Sequence, residues 1–269
     1  MKTPPAARDL AIGVAAVIAL SRFAPDPFAW PLAGFLVAAT VVGVLQLLAD
    51  TSSSAESAGV PIESVVLPGL AAGAGALAIR LVPLGFGLAL GVVLLGALLL
   101  LAIATEARLV RSSSAPSSAD RTAVGIQLLV VGFLAFAGVA DVLPGVTVAA
   151  GGATPPPDPI VLVAFAGLDA LIGMALGYRA AALRSTSLRD VGTIAIGAGM
   201  VMAIAALALH SIELPRLIGP ALLVLVFFLW DAIHGGRPTR RRDSRRLWET
   251  AFLVVIAVAV VAWSFGMRP

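Results

Sequence analysis

The sequence predicts an all-α integral membrane protein, a polytopic bundle of about nine transmembrane helices with eight as the lower bound. Three observations predict it. Hydrophobic residues make up 59% of the chain and charged residues only 12%, with a mean hydropathy of +1.03. A soluble domain is about a quarter charged, and so few charges cannot cover a water-facing surface. The apolar residues also come in blocks long enough to cross roughly 30 Å of hydrocarbon at about 1.5 Å per residue. Finally, the basic residues gather in alternate loops. Residues 1–269 read as a single polytopic domain without a soluble domain.

The first helix is expected at about Leu10–Ala24, ended by the turn Pro25-Asp26-Pro27. Lys2 and Arg8 before it resemble the start of a signal peptide, but Arg22 and Pro25 intrude where a cleavage site would lie, so a retained helix is expected. The second spans about Trp30–Ala49 and the third about Val65–Val82, which Pro83 ends. The fourth spans about Leu84–Ala104, the fifth Val124–Val142 and the sixth Ile160–Tyr178. The seventh spans about Val191–Leu209, the eighth Leu217–Ile233 and the ninth Ala251–Phe265. Between them lie polar or Pro-rich loops, such as Arg111–Thr122 and Pro144–Pro159.

Under this count, 14 of the 18 Lys and Arg residues fall on one side and 4 on the other. The four are Arg22, Arg80, Arg216 and Arg268. Basic loops stay in the cytoplasm, so the amino terminus is expected inside and the carboxyl terminus outside. The dominance of Ala, Gly, Val and Leu, with arginine carrying the charge, matches a GC-rich bacterial genome by association. A multi-pass protein of the bacterial inner membrane is the expectation. Pro-apolar pairs recur at Pro31-Leu32, Pro83-Leu84 and Pro159-Ile160, each expected to open an even-numbered helix. They suggest helical-hairpin repeats, arranged as two groups of four helices and a final one.

Composition excludes several chemistries. Without cysteine there are no disulfides, thiolate nucleophiles, Cys-bound zinc or Fe–S clusters. Lys2 is the only lysine, so no buried lysine can form a Schiff base. The sequence has no G-x-x-x-x-G-K-[ST] loop, no H-E-x-x-H pair and no G-x-S-x-G elbow. No cofactor and no metal are expected.

Asp169 is the most informative residue, near the middle of the sixth helix. A carboxylate there costs about 2.5–3.5 kcal/mol, so it must face protein or water. Its side chain is too short to reach the interface. Ala166, Ala170, Gly173 and Gly177 recur at three- and four-residue spacing beside it, a stripe that lets a neighbouring helix approach. Asp169 reads either as a proton- or ion-binding group or as a structural acid bonded to a neighbour. Its cationic candidates, Arg80 and His210, are expected at least about 10 Å farther out by helix rise.

Two further groups stand out. Arg80, Asp141, His210 and Glu213 are expected near the outer ends, where Arg80 could pair with Asp141 or each could simply be hydrated. Gln46, Glu106, Gln127, Tyr178, Asp231 and His234 are expected near the inner ends. Asp231 and His234 are three apart and can share a helix face, but two ligands are too few for a metal site. Arg237, Arg240, Arg241, Arg242, Arg245 and Arg246 form the densest charge, expected at lipid headgroups, each worth about 1 kcal/mol near the surface.

These features point first to a non-enzymatic accessory or structural membrane component. Its expected partners are lipids and a membrane protein or a second copy, not nucleic acid. The alternative is a small proton- or ion-coupled transporter using Asp169. A lipid-modifying enzyme using Arg179 and Arg184 at the headgroups is the third reading.

Overall fold

A computed structural model describes residues 5–52, 61–112, 116–146, 158–184, 187–212 and 214–234. Among them are eight α-helices and no strand. They are α1 (Pro5–Ser21), α2 (Asp26–Ser52), α3 (Glu63–Ala78), α4 (Phe86–Arg111), α5 (Ser118–Val142), α6 (Pro159–Ala182), α7 (Leu188–His210) and α8 (Ile218–His234). A 3-10 turn, Ile79–Leu81, closes α3.

Among the described residues, six helices are long and apolar enough to cross a membrane: α2, α3 together with its closing turn to Leu81, and α4 to α7. Helices α1 and α8 have 17 residues each, at the short end of spanning length, roughly 17–25 residues. The expected ninth helix lies outside the described residues. The bundle's exterior carries exposed Phe35, Phe86, Val93, Val163 and Ile204. Scattered over helices of this length, such side chains suit lipid contact.

Local chemistry explains several helix ends. Ser117 caps α5 by accepting from the Asp120 amide, while the Asp120 carboxylate accepts from the Ser117 amide. Asp158 caps α6 ahead of Pro159, whose missing N–H costs nothing at a first helical position. Gly85, at φ 91°, makes the turn into α4. The Pro-apolar pairs, however, are not equivalent. Pro159 opens α6, Pro83 lies before α4, and Pro31 sits inside α2.

Consecutive helices run antiparallel. Phe165 meets His210, Gly173 meets Met202, and Gly177 meets Ala198, a steady register between α6 and α7. Helix α1 packs on α2, α2 on α3, α3 on α4, and α4 back on α1. Helices α5 to α8 close a second ring in the same way. Helices α1 to α4 and α5 to α8 thus form two halves of one bundle. They meet where α3 packs on α5 and α6, and α4 on α5.

Helix α3 is the centre. Thirteen of its 16 residues are buried, and most of those are Ala or Gly. Small residues let backbones approach on several sides at once. A Cβ on Gly69 would lie 2.8 Å from Val41 Cγ2 on α2. One on Gly138 of α5 would lie 2.9 Å from the Ala78 amide nitrogen.

Candidate functional site

One end of the bundle carries the α2–α3, α4–α5 and α6–α7 connections and Arg108, Arg111, Arg121, Arg184 and Arg189. It is called the basic end below. Asp169 lies between the two ends, ten residues into α6 from Pro159. Its exposure is 0%, and neither carboxyl oxygen has a hydrogen-bond partner among the described residues. It stands midway between Phe165 and Gly173, which places it level with Ala206 on α7, midway between His210 and Met202. Its surroundings on both helices are apolar or small.

The expected small-residue stripe does face a helix. A Cβ on Gly173 would lie 2.8 Å from Met202 Cβ and 3.2 Å from the Ala198 carbonyl oxygen. Gly177 meets Ala198 and Ala195, and Gly199 reaches back to the Ala170 carbonyl. His210 is nearer to Asp169 than expected. Its ring packs edge-on against Phe165 at 6.2 Å, so it sits only about one helical turn, or 6 Å, beyond the level of Asp169. The sequence estimate measured from the helix end and could not see the pairing of α6 with α7.

The charged pairs differ from expectation at the end opposite the basic one. Arg80 does not pair with Asp141. It pairs with Asp26 at the start of α2 and donates to the Ala24 carbonyl oxygen at 3.0 Å. Asp141 pairs with Arg216, just before α8. Each pair joins neighbours within one half, although α3 and α5 themselves pack together. Asp26 had been read only as a turn residue.

At the basic end the main feature is a buried ion pair. Arg179 Nε donates to Glu106 Oε1 at 2.8 Å, and its Nη2 to Oε2 at 2.7 Å. The two side chains are 3% and 1% exposed. One residue away on α4, Thr105 Oγ1 accepts from Gln127 Nε2 of α5 at 3.2 Å, while Gln127 Oε1 is buried without a partner among the described residues. Arg108 and Asp120 form a more exposed pair at 2.5 Å. Gln46 faces outward and Tyr178 is half-buried.

Asp231 and His234 do not act together. Asp231 holds Arg184 at 2.8 and 2.5 Å. His234 Nδ1 is 3.0 Å from the Trp230 carbonyl oxygen, and its ring lies against the Trp230 ring at 3.7 Å. Among the described residues there is no group of three metal-ligating side chains. Arg179 and Arg184, the arginines offered for phosphate, are each engaged by an acid. Glu213 and the run from Arg237 to Arg246 lie outside the described residues.

Compared with protein families, curated proteins and solved structures, the chain matches none.

Sequence reasoning placed Arg179 at the headgroups, past the end of the sixth helix, and so missed its pairing with Glu106. It also missed Thr40, buried on α2 with its hydroxyl unpartnered among the described residues. A signal for Arg179 existed. It stands one residue past the expected end of an apolar helix, where a further turn of helix would carry it inside.

Proposed function

We propose that this chain is a multi-pass inner-membrane component without enzymatic activity, whose buried polar groups serve to hold its own helices together. The observation that carries this reading is the Glu106–Arg179 pair. The two most deeply buried opposite charges are satisfied by each other in bidentate geometry, which is how a structural ion pair is built. Its partners would be lipids and a membrane protein or a second copy. The basic end would face the cytoplasm, because arginine-rich loops are retained there. Reporter fusions after Ser114, Thr186 and Arg240 should all report cytoplasm, and an external signal from any of them rejects this orientation.

A second reading has one specific observation in its favour. A structural acid would be bonded to a neighbouring helix, whereas Asp169 is fully buried with both oxygens unpartnered among the described residues. That suits a carrier holding a proton or small cation at Asp169. The Asp169→Asn variant in liposomes separates the two. For a structural component, wild-type vesicles carry no pH-driven flux and the variant is as stable as the parent. For a carrier, wild-type vesicles show pH-dependent uptake, and Asn abolishes it while the fold persists.

A further inference from the structure

We propose that the two four-helix halves are latched at the basic end alone, and that the Glu106–Arg179 ion pair is the latch. Among the described residues, three polar links cross the seam between the halves. Glu106 lies on α4 in the first half and Arg179 on α6 in the second. Thr105–Gln127 and Arg108–Asp120 join α4 to α5 and also cross the seam. All three crossings are at the basic end.

The opposite end is built differently. Among the described residues its side-chain links stay within a half. Ser21 donates to Ala76, Arg22 to Val82 and Arg80 to Ala24 and Asp26, all in the first half. Asp141–Arg216 lies in the second half. Among the described residues the seam there is closed by close packing, where Gly138 meets Leu77 and Ala78. The two ends thus respond to different perturbations. Removing a charge acts on the basic end, and adding bulk acts on the other. A buried ion pair broken on one side leaves an uncompensated charge, which draws water toward it. Loss of Glu106 should therefore part α4 from α5 and α6 at the basic end while the opposite end stays closed. The inference does not depend on whether the protein is a structural component or a carrier.

The absence of cysteine makes the test direct. Val124 of α5 is fully buried and lies level with Glu106, between the Thr105–Gln127 and Arg108–Asp120 links. Ala137 is buried on the same helix near Gly138 and reports on the opposite end. Each is replaced by cysteine in the full chain, and labelling by a water-soluble maleimide is timed in open membrane fragments. With Glu106→Gln, Val124→Cys should label at least about tenfold faster, since labelling follows the population of the open state. Ala137→Cys should be unchanged. Exchanging the charges, Glu106→Arg with Arg179→Glu, should slow Val124→Cys again. If Glu106→Gln does not accumulate, Arg179→Gln breaks the same pair from the other side and should expose Val124→Cys in the same way. The proposal is overturned if Val124→Cys stays protected in the variant that folds, or if both cysteines speed up together, which would mean general loosening.

Discussion

Breaking the Glu106–Arg179 pair from one side should destabilise the protein far more than removing it from both. The perturbation is Glu106→Gln, which keeps the volume and one acceptor but leaves the Arg179 guanidinium without its counter-charge. Both side chains are at most 3% exposed, so the discount that applies to surface pairs does not apply here. Removing one partner of a buried pair costs about 3–5 kcal/mol, and Gln should fall at the lower end because it still accepts a hydrogen bond. Replacing both, as Glu106→Leu with Arg179→Met, should come within about 1 kcal/mol of the parent, because neither desolvation nor attraction then remains. The Arg108–Asp120 pair is an internal control. Arg108 is 46% exposed, so Arg108→Gln should cost less than about 1 kcal/mol. Unfolding in mixed detergent micelles with rising SDS measures each variant, and Glu106→Leu, Arg179→Met and their double complete a thermodynamic cycle. The reasoning fails if Glu106→Gln costs no more than Arg108→Gln, or if the two single changes simply add up to the double.

Three further predictions concern glycines on α5 and α6. Gly173→Leu should destabilise the α6–α7 contact by about 1–3 kcal/mol or more, because even its Cβ would collide with Met202; a variant as stable as the parent in the same SDS titration would contradict the packing. Gly138→Ala should be destabilising by a similar amount, about 1–3 kcal/mol, since its Cβ would press on the Leu77–Ala78 backbone rather than on a flexible side chain. Gly167→Ala, which meets nothing within 4 Å, should be neutral or slightly stabilising through helix propensity.

The order and class of the eight described helices were legible in the sequence, because hydropathy and helix breaking are properties of neighbouring residues. The helix ends were less so. The fourth helix was expected to stop at Ala104 and the sixth at Tyr178, yet they run on to Arg111 and Ala182. A reading that stops at the first charged residue misplaces charges that a protein interior can neutralise. Glu106 and Arg179 lie in just these extra turns. The small residues beside Asp169 were legible for the same local reason: a one-sided stripe of Ala and Gly on an apolar helix serves no purpose in lipid except to admit a neighbour.

What only the tertiary structure decided is which polar group meets which. Two acids, Asp26 on α2 and Asp141 on α5, lie on helices packed against α3 and its closing turn; Arg80 pairs with Asp26, and Asp141 is taken by Arg216. Glu106 and Arg179 are 73 residues apart and meet because their helices flank α5. Asp169 had a legible position along its helix, but its lack of a partner among the described residues follows from its level on α7, which falls at Ala206 between Met202 and His210. Crossing the membrane depends on hydrophobicity summed over about twenty consecutive residues, which one segment carries by itself. Pairing depends on how the faces of all the helices fit together, and no single segment carries that.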